Sequence, residues 1–193
     1  MFKPVAAYFQ FSRLFSGSEV LADLPSGLEQ IVSSKSLYCP EGVEGSSSKE
    51  WCRIFLATNI LSLDVDRWNE SPNGAIETAN YWLAENKTVE DQGFVMSLGR
   101  SSTVWGVSLR NTHNSYHRDR STKKFKVLGG TTDNGPWEEL LVADLEDSRR
   151  QNPPPVQQKM FANPANVSFI KFELLEYWRN GGGLQYFVPI YRA

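Results

Sequence analysis

From Trp51 onward the apolar residues recur with a period of two, and this constrains the fold more than any other feature of the chain. Ile170, Phe172 and Leu174 alternate with Lys171 and Glu173. Phe94, Met96 and Leu98 form a second row, Trp105, Val107 and Leu109 a third, and Leu184, Tyr186, Val188 and Ile190 a fourth. Successive side chains of a strand point to opposite faces, so each row predicts a strand with one face in the core and one in water. Half-polar strands of this kind suit antiparallel sheets. Asn134-Gly135-Pro136, Asn152-Pro153-Pro154-Pro155 and Gly181-Gly182-Gly183 separate them as turns. Pro189 has no amide donor, which puts the last strand at an edge or ends it there. About six to eight short strands with little helix predict an all-β fold, a jelly-roll β-sandwich of two antiparallel sheets.

The first fifty residues read differently. Ser26-Gly27-Leu28-Glu29 has the capping-box spacing, and Leu28, Ile31 and Val32 follow at helical intervals, which predicts a short helix near residues 26–36. Pro40 to Lys49, with Gly42, Gly45 and Ser46-Ser47-Ser48, reads as a loop or linker. The chain thus divides into an extension over residues 1–50 and a sandwich over 51–193. Its 193 residues are enough for one well-filled core.

Charge and composition exclude several classes. A net charge of -2 argues against a general nucleic-acid binder, which needs a basic face to neutralise phosphates. No apolar run approaches the roughly 20 residues that span a bilayer. Met1 to Phe15 lacks a continuous apolar stretch and a small-residue cleavage site, so it does not read as a signal peptide. Cys39 and Cys52 either close one loop in an oxidising compartment or stay as two reduced thiols; the spacing allows both. Asn86-Lys87-Thr88 and Asn166-Val167-Ser168 match the glycosylation sequon.

The stretch from Asn111 to Lys124 is the richest in binding chemistry. His113, Asn114, Tyr116, Arg118 and Arg120 are the candidate ligand-binding residues, with Asp119 the single acid among them. Guanidinium, imidazole and amide groups donate several directed hydrogen bonds to sugar hydroxyls or anions. Tyr116 adds a surface for an apolar sugar face. The competing reading is a solvated hairpin whose arginines pair with acids such as Asp119. His113 and His117 are four apart, but in a loop and without a nearby Cys, which speaks against a transition-metal site. No Gly-x-Ser-x-Gly elbow or comparable nucleophile motif is present. Asp144, Glu146, Asp147, Glu138 and Glu139 read as a charged turn and not as a glycosidic acid pair. The expectation is a non-catalytic module. A second polar stretch, Trp68 to Trp82, holds Glu77, Asn80 and other oxygen donors that could wrap a calcium ion, although its spacing is not that of an EF-hand.

The order Gly74-Ala75-Ile76-Glu77-Thr78-Ala79-Asn80-Tyr81-Trp82, then Gly93-Phe94-Val95-Met96-Ser97-Leu98-Gly99, resembles the opening of the discoidin, or coagulation-factor C-type, domain. There an Ala-Ile-Asp-Gly…Trp segment precedes a strand ending Asp-Leu-Gly. Phe125–Leu128, Trp137, the run from Val167 to Leu175 and the closing Gly183–Phe187 look like the later strands of that family, so the resemblance covers roughly residues 51–193. It implies a galactose-binding-like jelly roll that binds glycans, phospholipid head groups or proteins through loops at one end, in an extracellular or cell-surface setting. It also implies a structural calcium, held near Glu77 and Asn80 and, from the last strand, by Gln185. The chain departs from the pattern at these places: Glu77 stands for Asp, Gln185 stands near the expected Glu, and Ser97 replaces the Asp of Asp-Leu-Gly. The functional expectation is a lectin-like module recognising a glycan or glycoprotein. The alternative is a protein-interaction or scaffolding module of the same fold with a protein partner.

Overall fold

A computed structural model describes residues 28–34, 60–61, 81–112, 118–151 and 154–191. Among the described residues there are seven strands: β1 (Gln30–Ser34), β2 (Trp82–Leu83), β3 (Gly93–Asn111), β4 (Thr122–Gly130), β5 (Glu138–Asp144), β6 (Val156–Tyr177) and β7 (Gly183–Tyr191). Their order is β2-β7-β3-β6-β4-β5, with β1 added beside β3, and every ladder is antiparallel. The fold is all-β, as the alternation demands, in the manner of a jelly-roll sandwich. The long strand β3 pairs with different neighbours along its length: Phe94–Ser97 lies between β1 and β6, and Val104–Arg110 lies between β7 and β6. Among the described residues no helix is long and apolar enough to cross a membrane.

The helix expected near residues 26–36 is a strand where it is described. Gln30 pairs with Ser97, Ile31 with Met96 and Ser34 with Phe94. Ile31, Val32, Ser33 and Ser34 are weak helix formers, and pairing with β3 outweighs a local capping signal. Ile31 packs against the core while Val32 faces solvent, the alternation of a strand. Cys39, Cys52 and the Gly/Ser-rich stretch lie outside the described residues.

The core is built around Phe172. Its ring stacks on Phe94 at 5.0 Å and on Phe125 at 5.4 Å, and meets Trp82 and Phe187 edge-on at 5.6 and 5.8 Å. Such pairs contribute about 0.5–1.5 kcal/mol each beyond area burial. Ile170, Phe172 and Leu174 enter this core, whereas Lys171 and Glu173 point outward and form an ion pair.

Two of the sequence rows are broken by bulges. The register shifts between Val104 and Gly106, so Trp105 leaves the row and Val104 joins Val107 and Leu109 in the core. A second shift sets Arg110 opposite Tyr186 and Asn111 opposite Leu184, leaving Gln185 as the extra residue of β7. Leu184 and Phe187 therefore line the core. Pro189 faces Val107 of β3, and β2 pairs with β7 only at Gly183 and Leu184. Among the described residues the proline thus sits on a free edge, where a missing donor costs little.

Candidate functional site at the loop end

Four segments meet at one end of the sheet: the turn after β2, the chain leading into β4, the stretch after β5 and the β6–β7 turn. Asn111 fixes the root of the loop between β3 and β4. Its Nδ2 donates to Thr122 O at 2.7 Å and to Glu146 O at 3.1 Å. Its Oδ1 accepts from Thr122 N at 2.8 Å and from Thr112 N at 3.1 Å. Asparagine carries two donors and two acceptor lone pairs, so this buried side chain is fully used. Thr122 ties the same root to β7: its hydroxyl donates to Gly183 O at 2.9 Å and accepts from Gly183 N at 3.1 Å. Ser148 Oγ donates to Thr112 O at 3.0 Å and lies 3.2 Å from Ser121 Oγ.

Arg120 is 4% exposed. Its Nη1 donates to Ala84 O at 2.9 Å, and its Nη2 donates to Asn86 Oδ1. These bonds join the turn after β2 to the chain entering β4, so Arg120 acts as a post beneath the loops. Asn180 makes a parallel tie, donating from N to Asp119 O and from Nδ2 to Asp119 Oδ2, both at 3.0 Å. Lys87 N donates to Asn180 O at 2.9 Å, and Ser121 N donates to Gly181 O at 3.0 Å.

Above this frame stand cations. Lys87, Arg118 and Arg179 are exposed, and each has a left-handed backbone, with φ of 57°, 49° and 65°. Such residues cost about 1 kcal/mol or more each and cluster at ligand sites. Trp178, in the β6–β7 turn, lies under Lys123 Nζ at 5.4 Å and the Arg149 guanidinium at 5.8 Å. Both cations are held in turn by acids, Lys123 by Glu176 at 2.6 Å and Arg149 by a two-pronged bond to Asp147 at 2.6 and 2.8 Å. The hydrogen bond from Lys123 draws the Glu176 carboxyl below its ordinary range, and the one from Arg149 does the same to Asp147.

Of the residues expected to bind ligand, Arg118 and Arg120 are described and His113, Asn114 and Tyr116 lie outside the described residues. Arg118 is exposed; Arg120 is committed to the frame. Glu77 and Asn80 also lie outside the described residues, while Gln185 is 7% exposed and its Oε1 has no hydrogen-bond partner. An amide oxygen of that kind is chemically fit for calcium. Among the described residues no group of three or more His, Cys, Asp and Glu converges on a metal position. Sequence reasoning passed over Trp178 and Arg179. Their signal is the run Trp178-Arg179-Asn180 directly before three glycines, where a turn must expose them.

Solved structures place this architecture. A family 32 carbohydrate-binding module from a family 31 glycoside hydrolase of Clostridium perfringens superposes with a TM-score of 0.58 and 14% identity, over 88% of this chain and 98% of the module. A second family 32 module from C. perfringens, solved in complex with GalNAc-β-1,3-galactose, gives 0.56 and 13%, over 86% and 98%. The chain has the discoidin, or galactose-binding-like, fold. The family 32 module of Streptococcus pneumoniae EndoD superposes at 0.51 with 10% identity, over 84% of this chain and 95% of that one. No family model and no curated protein matches the sequence.

Proposed function

We propose that the chain is a non-catalytic carbohydrate-binding module that takes its glycan at the loop end. The observation that carries this reading is the rigid root of the β3–β4 loop, pinned by Asn111 and Thr122, with exposed Arg118 beyond it. A root fixed before binding has little entropy to lose on binding, which suits weak sugar ligands that bury little area. By their chemistry His113, Asn114, Tyr116 and Arg118 supply the hydroxyl-binding donors and an aromatic face, while Arg120 ties the turn after β2 to the chain entering β4. The neighbouring Lys87 and Arg179 widen the cationic rim. Support for glycan as the ligand class comes from the solved modules of the same fold, one of them bound to a galactose disaccharide.

A glycan array on the full chain, run with calcium and with chelator, tests the reading. Selective binding that falls in Arg118→Ala at an unchanged melting temperature supports it. A blank array in both conditions sinks it in favour of a protein ligand. Binding that disappears only in chelator would assign a calcium ion to Gln185 and its neighbours.

A further inference from the structure

Ser108 and Arg110 share the face of β3 that points away from the core residues Val107 and Leu109. Arg110 is 8% exposed, its Nε has no hydrogen-bond partner, and among the described residues no carboxylate pairs with it. Ser108 is fully buried and its Oγ is likewise unpartnered. Burial holds the guanidinium below its ordinary pKa, with the nearby Tyr186 phenol pulling the other way. Proteins rarely leave a buried guanidinium N–H and a buried hydroxyl side by side without partners, because each costs free energy that a partner would recover.

The surroundings say what that partner is. Arg110 lies between Tyr186 of β7 and Val156 of β6, and Ser108 between Val188 and Gln158. The β7 side is buried, whereas on the β6 side Val156 and Met160 are 38% and 41% exposed and Gln158 is exposed, so solvent borders the strip along β6. Two donors about 7 Å apart along one strand, with no hydrogen-bond partner at Ser108 Oγ or Arg110 Nε, fit an oxyanion. A single cation beside exposed Val156, with exposed Met160 further along the same strand, fits one carboxylate on a small ring with an apolar face better than an acidic peptide, which needs a broad basic surface.

We infer that Arg110 and Ser108 form a carboxylate-binding subsite on the β6–β3–β7 face, which takes the acid group of an acidic sugar. The subsite adjoins the loop root at Asn111, and in that sense it deepens the proposed glycan reading, on which the sugar identity rests. The test compares methyl glucuronide with methyl glucoside and with acetate, by calorimetry and thermal shift on the full chain. Wild type binds the glucuronide at least tenfold more tightly than either of the others, and Arg110→Met and Ser108→Ala each lose that preference. Arg110→Met also melts at or above the wild-type temperature in anion-free buffer, because it removes an unpaired buried charge and keeps the apolar stem.

A destabilised or unfolded Arg110→Met chain means that the guanidinium already has a counter-group, and overturns the inference. Equal binding of acetate and glucuronide overturns its sugar component. Glucuronide affinity within twofold of wild type in both variants overturns the site. A blank neutral-glycan array with Arg110-dependent glucuronide binding would fail the loop-end reading alone; the reverse pattern would fail this subsite alone.

Discussion

Gly181 and Arg120 are packed so closely that a Cβ on the glycine would lie 2.6 Å from the guanidinium Nη1. The same two residues form an isolated parallel bridge. The glycine is there to let the post pass, since the backbone carbonyl of Glu85 closes the other side at 3.2 Å. Arg120→Ala leaves the carbonyl of Ala84 without its buried donor, a loss of about 1–3 kcal/mol. For a chain of this size that lowers the melting temperature by roughly 2–4 °C per kcal/mol. Gly181→Ala shifts it in the same direction. Thermal unfolding checks both, and two unchanged melting curves would remove Arg120 from the frame.

Arg118 is the contrasting residue. It is exposed and has a φ of 49°, so its backbone is strained while its side chain is outside the packing. Arg118→Ala weakens glycan binding several-fold with little change in stability. Arg118→Gly weakens it as much but raises stability by up to about 1 kcal/mol, since glycine adopts the left-handed region without penalty. Calorimetry paired with chemical denaturation separates the two effects. Full affinity in both variants would remove Arg118 from the ligand site.

Asn111 ties stability to the site. Asn111→Ala strands the amide and carbonyl of Thr122 and the carbonyl of Glu146, which costs about 2–3 kcal/mol. Because these bonds order the loop root, the variant also binds glycan more weakly at temperatures where it is still folded. Hydrogen exchange at the Thr122 amide is the direct readout: protection falls in the variant if the side chain is its partner, and stays if it is not.

The strands were legible because each buries one face, and that requirement writes a period of two into Ile170, Phe172 and Leu174. Bulges at Trp105 and Gln185 were not, because an extra residue is set by its partner strand and leaves no mark in the local pattern. The segment around Ile31 was misread as helix for a related reason: its capping signal is local, while its pairing with Met96 spans the chain. At the loop end the cationic composition was legible, but the division of labour was not. Arg118 and Arg120 are chemically identical and two residues apart, and only the fold determines that one meets solvent and the other meets Ala84.

Acid should loosen the Trp178 corner. Glu176 and Asp147 have carboxyl groups held below their ordinary range by hydrogen bonds from Lys123 and Arg149. A depressed carboxyl contributes stability above its unfolded pKa, near 4 for both types, and the contribution is lost as pH falls through the lower folded value. These two pairs therefore leave stability level from pH 7 to about pH 5 and erode it below about pH 4. Lys123, raised by the same bond to Glu176, contributes below its unfolded pKa and loses that contribution only as pH climbs through the raised value. Both pairs are partly exposed, so high salt shrinks the effect. The measurement is melting temperature against pH for wild type and for the double variant Asp147→Asn, Glu176→Gln. The variant should start lower at pH 7 and fall less steeply below pH 4, because its amides cannot titrate. Parallel curves would mean that neither carboxylate holds the corner, and that Lys123 and Arg149 sit over Trp178 without help from their acids.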